Sequence, residues 1–188
     1  MKPIVSGLDG RLADRIARER ETRAWSVADL ASRSGVSRAM IAKIERRAAQ
    51  PTAALIGRLS AAFGLPLSLF FARVEDPPAR VVRAAEQPVW TDPSTRYVRR
   101  ALSPAGDAHL QLTLVDLPAG ARVTFPAEAY TFIHQQIWVL RGRLTFVEGK
   151  ARHELRPGDC LQLGSPERCT FANTAARPCR YVVAVARH

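Results

Sequence analysis

The stretch Trp25–Thr52, WSVADLASRSGVSRAMIAKIERRAAQPT, constrains the fold of this chain more than any other. It reads as two short helices joined by a tight turn. Ser26 is a good N-cap, because its hydroxyl can take an orphan amide of the first helical turn. Asp29, three residues on, supplies a weak return half of a capping box. Val27, Leu30 and Ala31 then share one face at helical spacing. Gly35 follows, where left-handed backbone ends a helix without a Cβ clash. Val36 is apolar and placed to plug the angle between the helices. Ser37 caps a second helix whose buried stripe is Met40, Ile41 and Ile44. Arg38, Ala39, Ala42, Lys43, Arg46 and Arg47 are left facing outward.

Two short helices held at an angle, the second with a basic outer face, make a helix-turn-helix, and the second helix fits a major groove. The residues Ser26-x-x-x-Leu30-Ala31, Gly35-Val36-Ser37, Ile41-x-x-Ile44-Glu45 and Pro51-Thr52 closely resemble the xenobiotic-response-element (XRE) family, which includes the phage repressors. The resemblance runs over about residues 8–72. It implies an all-α, five-helix, lambda-repressor-like DNA-binding domain. Arg38 and Lys43 can then reach guanine O6 and N7, and the Ala39 methyl a thymine methyl. Ser37, Arg46 and Arg47 suit phosphate, and Ser26 completes the candidate DNA-binding set. The bland alternative is a helical bundle with no DNA role, which has no reason to keep a cationic outer face.

Charge agrees with a polyanionic partner. The 188 residues carry a formal net charge of +11 and a pI of about 10.9. The excess is denser in residues 1–73, with 13 Lys and Arg against 6 Asp and Glu. Three cysteines without CxxC spacing argue against a disulfide scaffold or structural zinc. No run reaches the length of a membrane span, and the N-terminus lacks the apolar segment of a signal peptide, so a cytoplasmic protein with no membrane partner is expected.

Around the motif, Leu8, Leu12 and Ile16 predict a first helix over Asp9–Thr22. Thr52 caps a fourth helix, Ala53–Phe63, stopped by Gly64. Pro66 opens a short fifth helix, LSLFFA. Residues 1–72 therefore read as the DNA-binding domain. Residues 73–80, RVEDPPAR, read as a stiff extended linker. From 81 to 188 helical periodicity vanishes. Short apolar runs such as RYVRRAL, HLQLTLVDL, IHQQIWVL and CRYVVAVA alternate with turn signals, which predicts an all-β sandwich or barrel.

Two segments of this second half resemble the cupin family, a double-stranded β-helix or jelly roll. They are LPAGARVTFPAEAYTFIHQQIWVLRGRLTF, closing on Gly142, and LRPGDCLQLGSPERCTFANT, closing on Asn173. An XRE domain followed by a cupin is a bacterial regulator architecture. The resemblance would place metal ligands at Glu128, Tyr130, Gln135 and Cys169, counted back from those closing residues. None of these positions carries the family's usual ligand type, and the mixed set matches no common metal. No metal, cofactor or catalytic residue is expected. His134 should turn away from the barrel by strand alternation.

What remains is a small-molecule cup lined by Phe125, Glu128, Tyr130, Gln135, Ile137, Cys169 and Phe171. An inward Glu128 would favour an effector with an amine. The reading is a dimeric DNA-binding regulator on a pseudo-palindromic operator, whose cupin half senses a small-molecule effector. The alternatives are a cupin that only dimerises, a metal-dependent cupin enzyme tethered to a DNA-binding domain, and an antitoxin-like binder of a partner protein.

Overall fold

The computed structural model describes residues 6–71, 80–104, 110–131 and 133–187. Four helices build the N-terminal domain: α1 (Ser6–Thr22), α2 (Val27–Ser34), α3 (Arg38–Glu45) and α4 (Ala53–Phe63). The first begins three residues before its expected start. Local chemistry sets the other boundaries. Ser26 and Asp29 exchange both capping-box bonds, amide to side chain, at 3.1 and 2.8 Å. Gly35 ends α2 at φ 65°. Ser37 Oγ accepts the Met40 amide at 3.3 Å, and Thr52 Oγ1 accepts that of Leu55 at 3.3 Å. Leu12, Ile16, Leu30, Ile41, Ile44, Ile56 and Leu59 are almost fully buried between the helices.

The expected five-helix domain is corrected to four. The segment after Pro66 is a single five-residue turn, α5 (Leu67–Phe71). One turn cannot present a full face to a bundle. Instead it carries Phe70 toward Phe63 and Phe71 toward Trp90 of the β half, with ring centroids 6.0 and 5.1 Å apart.

The second half is an all-β, cupin-like sandwich. Its strands are β1 (Val89–Thr91), β2 (Val98–Ala101), β3 (Leu110–Leu117), β4 (Arg122–Phe125), β5 (Ile133–Arg141), β6 (Leu144–Glu148), β7 (Ala151–Leu155), β8 (Cys160–Gln162), β9 (Cys169–Ala172) and β10 (Cys179–Arg187). One sheet has the order β1-β2-β3-β10-β5-β8 and the other β4-β9-β6-β7. Every neighbour is antiparallel, and the alternation along β5, buried at Gln135, Ile137 and Val139, aims one face into the sandwich. Phe171 stacks on Tyr181 at 5.8 Å and so ties the two sheets together. β1 lies in QPVWT, a run that the sequence pattern did not single out.

Gly142 explains itself sterically. It sits at φ 82°, and a Cβ there would lie 2.7 Å from the Pro178 carbonyl oxygen. Asn173 is a lock rather than a ligand. Its Nδ2 donates to the carbonyls of Leu117 and Arg177 at 3.0 and 2.9 Å, and its Oδ1 accepts the Ala175 amide at 3.0 Å.

The two halves share one apolar core. Asp92 Oδ2, in the β1–β2 turn, accepts the Ala53 amide at 3.1 Å and so caps α4 from outside its own domain. Gly57, mid-α4, lets the helix approach Phe125 closely: a Cβ would lie 2.6 Å from that ring. Of the expected linker, residues 73–79 lie outside the described residues, and Arg80 is exposed.

Candidate nucleic-acid interface and the β cup

The α2–α3 turn is held from three directions. Ser34 is buried, and its Oγ donates to the Leu30 carbonyl at 2.6 Å and accepts the Val36 amide at 3.2 Å. Val36 is buried beneath the turn. Arg58 of α4 donates to the Gly35 carbonyl at 3.2 Å. This bracing gives α3 a defined angle, which reading a groove requires.

On α3, Ser37, Arg38, Ala39 and Lys43 are exposed together, as is Arg46 at its C-cap. Ser26 is exposed, but its hydroxyl is engaged by the Asp29 amide and by Asp29 Oδ2, at 3.1 and 2.6 Å. The Ser26 hydroxyl and then its backbone N–H, both donating to Asp29 Oδ2, hold that carboxyl below the usual carboxylate range. Arg47 stands apart from the rest. Its backbone is left-handed, at φ 60°, and its guanidinium grips Asp14 of α1 at 2.7 and 2.8 Å. A phosphate contact from Arg47 would compete with that pair.

Glu45, read only as part of a motif, proves to be a brace. Arg20 Nε and Nη2 donate to its two carboxylate oxygens at 2.7 and 3.0 Å, while Nη1 donates to the Trp25 carbonyl at 3.0 Å. One guanidinium thus joins α1, the entry to α2 and the end of α3.

In the β half, Phe125, Tyr130, Gln135 and Phe171 line one small cavity of about 30 Å³. That is room for about one water molecule. Ile137 and Cys169 are buried but stand behind this lining. Glu128 is corrected out of the cup. The chain after β4 coils into a 3-10 turn, Ala127–Tyr130, instead of continuing as a strand, and this turn leaves Glu128 exposed. The amine preference drawn from Glu128 goes with it. His134 is exposed, on the outer face of β5.

These donors do not fit a metal. With Glu128 outside, Tyr130, Gln135 and Cys169 remain. Burial pushes the Cys169 thiol up to about 12 and the Tyr130 phenol well above its ordinary value, so neither readily supplies an anion. Among the described residues no three His, Cys, Asp or Glu side chains group as a ligand set.

The sequence reading missed Arg99 and Tyr97. They lie in RYVRRAL, where alternation turns them inward together. Arg99 is 6% exposed and lines the cavity. Its Nη1 donates to the Tyr97 hydroxyl at 2.8 Å and its Nη2 to Thr113 Oγ1 at 3.4 Å. Pro66 and Leu67, from the helical domain, line the same cavity.

Known proteins resemble the chain as follows. Residues 16–70 match the HTH_3 family model, a helix-turn-helix. The HTH-type transcriptional regulator SutR of Escherichia coli is 39% identical over 51 residues, which are 27% of this chain and 29% of that protein's length. An HTH_3 family transcriptional regulator from Vibrio cholerae has a similar fold throughout, with a TM-score of 0.78 at 23% identity, over 96% of this chain and 97% of that one. The cupin_2 domain of an XRE family transcriptional regulator from Enterobacter cloacae aligns with 49% of this chain and 97% of its own at 15% identity, with a TM-score of 0.45.

Proposed function

For a chain whose residues 16–70 form an HTH_3 helix-turn-helix set on a cupin-like β domain, we propose a sequence-specific DNA-binding transcriptional regulator. The observation that carries this is the exposed row Arg38, Ala39 and Lys43 on a braced α3. Arg38 and Lys43 contact base edges, and Ser37 and Arg46 contact phosphate. Ser26 stands near the backbone as an already engaged cap, and Arg47 binds phosphate only by leaving Asp14.

Arg38→Ala is expected to cost about 1–3 kcal/mol at one base pair and to relax preference there. Arg46→Ala is expected to weaken all DNA alike and to reduce the salt slope by about one. Gel shifts against a selected operator and its point variants read both effects. If both variants bind like the parent, the recognition surface lies elsewhere.

The regulator acts as a homodimer on a pseudo-palindromic site, since two-fold symmetry doubles the base pairs read. The outer face of the six-stranded sheet supports this reading. Leu114, Val182 and Trp138 stand side by side across β3, β10 and β5, and Leu110, Trp138 and Leu140 are 54%, 51% and 39% exposed. Contiguous exposed apolar surface of this kind is covered in most proteins. Trp138→Glu is expected to give monomers in light scattering and to weaken operator binding at the same protein concentration. A parent protein that is monomeric at micromolar concentration, with and without DNA, contradicts the proposal.

The β cup senses a small-molecule effector in this reading. The nearly filled interior favours a second reading, in which the β half only dimerises. A metabolite screen decides between them: sensing requires a compound that changes operator affinity.

A further inference from the structure

Arg99 is a buried charged group that the fold leaves unexplained. A guanidinium is expensive to bury without a counter-charge. Among the described residues no carboxylate pairs with it, and its hydrogen-bond partners are the neutral hydroxyls of Tyr97 and Thr113. Its Nε is buried with no partner at all. Trp90, its direct cross-strand neighbour, has a buried indole N–H in the same condition. Two unused donors thus sit on paired residues of β1 and β2, and the one that lines the cavity, Arg99, carries a permanent positive charge. They call for an acceptor that carries negative charge.

The remaining walls define the rest of the ligand. Phe125, Phe171, Ile133, Val183 and Val185 are apolar, and Gln135 adds one amide. Free space is about 30 Å³. That admits part of a head group but not a whole organic molecule, so a ligand chain must displace part of the lining. Of the lining, Pro66 and Leu67 are the residues that come from the helical domain, and they are the part that can move away. Arg99 also reaches the helical domain directly, with its guanidinium carbon 5.4 Å from the centre of the Phe71 ring.

We infer that the cup takes a small organic carboxylate, bound through Nε of Arg99 and displacing the Pro66–Leu67 turn. The planar guanidinium fork matches a carboxylate. The hydrocarbon walls suit a short apolar chain, which sulfate or phosphate lacks. The coupling follows from position. The displaced turn joins α4 to α5, so occupancy changes how the helix-turn-helix rests on the β domain. This deepens the effector-sensing reading and rests on it.

The test uses the full chain. Melting temperature and calorimetric binding are measured with a panel of short-chain monocarboxylates, their primary amides, the matching amines and sodium sulfate. At least one carboxylate is expected to raise the melting temperature in a saturable way, while its amide and amine do not. Arg99→Met is expected to raise the half-saturating concentration by at least about tenfold, and Arg99→Lys by less. Met removes a buried unpaired charge, so this variant should fold; the amide comparison on the parent protein decides even if it does not.

Equal binding by amide or amine, binding by sulfate alone, an unchanged response in Arg99→Met, or no response to any carboxylate each overturns the inference. Operator binding is measured on the same samples. A parent that binds operator but no carboxylate removes the anion site and leaves the regulator standing. A parent that binds carboxylate but no DNA does the reverse.

Discussion

Arg20→Ala is expected to destabilise the helical domain by about 3 kcal/mol and to weaken operator binding in step. The side chains of Arg20 and Glu45 are 14% and 13% exposed, so the pair is partly buried and solvent screens it only in part. Removing the cation leaves a partly buried carboxylate without a counter-charge, and it frees the Trp25 carbonyl, which Arg20 Nη1 now satisfies at 3.0 Å. Both losses fall at the junction that sets the angle of α3. Because the two halves share one core and melt together, the loss corresponds to a melting temperature lower by roughly 6–12 °C. Pairing Arg20→Met with Glu45→Met should recover most of it, because apolar side chains of similar volume replace a buried ion pair at little cost. Thermal melts of the two single variants and the double variant form the cycle. A shift under about 3 °C for Arg20→Ala would mean the pair does not brace α3.

Gly57→Leu is expected to separate the two domains. A Cβ alone would lie 2.6 Å from Cδ1 and 3.3 Å from Cε1 of Phe125. The ring has little room to retreat: it is 4% exposed and packs edge-on against Phe171 at 5.9 Å. Overpacking of this kind costs about 1–3 kcal/mol, and a leucine adds further atoms to the clash. The helix itself gains up to about 1 kcal/mol on losing a glycine from its interior. The two effects act on different parts of the molecule. The helical domain should hold or improve while its docking fails, so calorimetry should show one transition becoming two. Solution scattering should show a larger radius of gyration. Gly57→Ala should do the same more weakly. If Gly57→Leu melts in one transition like the parent, α4 does not rest on Phe125 in solution.

The helix-turn-helix was legible because everything that makes it is local. Caps at Ser26, Ser37 and Thr52, the left-handed Gly35 and the stripe through Ile41 and Ile44 act within a few residues of themselves. The outward placement of Arg38 and Lys43 follows from the same spacing. The brace on Glu45 was not legible, since Arg20 lies 25 residues away and no local pattern joins them. Arg47 reads as one more outward cation, yet it faces Asp14 across 33 residues.

The β half divides in the same way. Alternation put Gln135 inward and His134 outward, and turn residues separated the strands. It could not show that the chain coils at Ala127–Tyr130, because whether an apolar run ends as strand or turn depends on its neighbours, and Glu128 was misplaced by that one event.

By itself, then, the sequence determined the division into a helical and a β half, and the helix-turn-helix with its basic outer face. Those follow from residue identity and short-range periodicity. Only the tertiary structure decided that Arg99 is buried with no carboxylate partner among the described residues, that Asp92 caps α4 from the other domain, and that Pro66 and Leu67 line the β cup. Each joins residues from separate elements, and burial and pairing across such distances are properties of the packed chain.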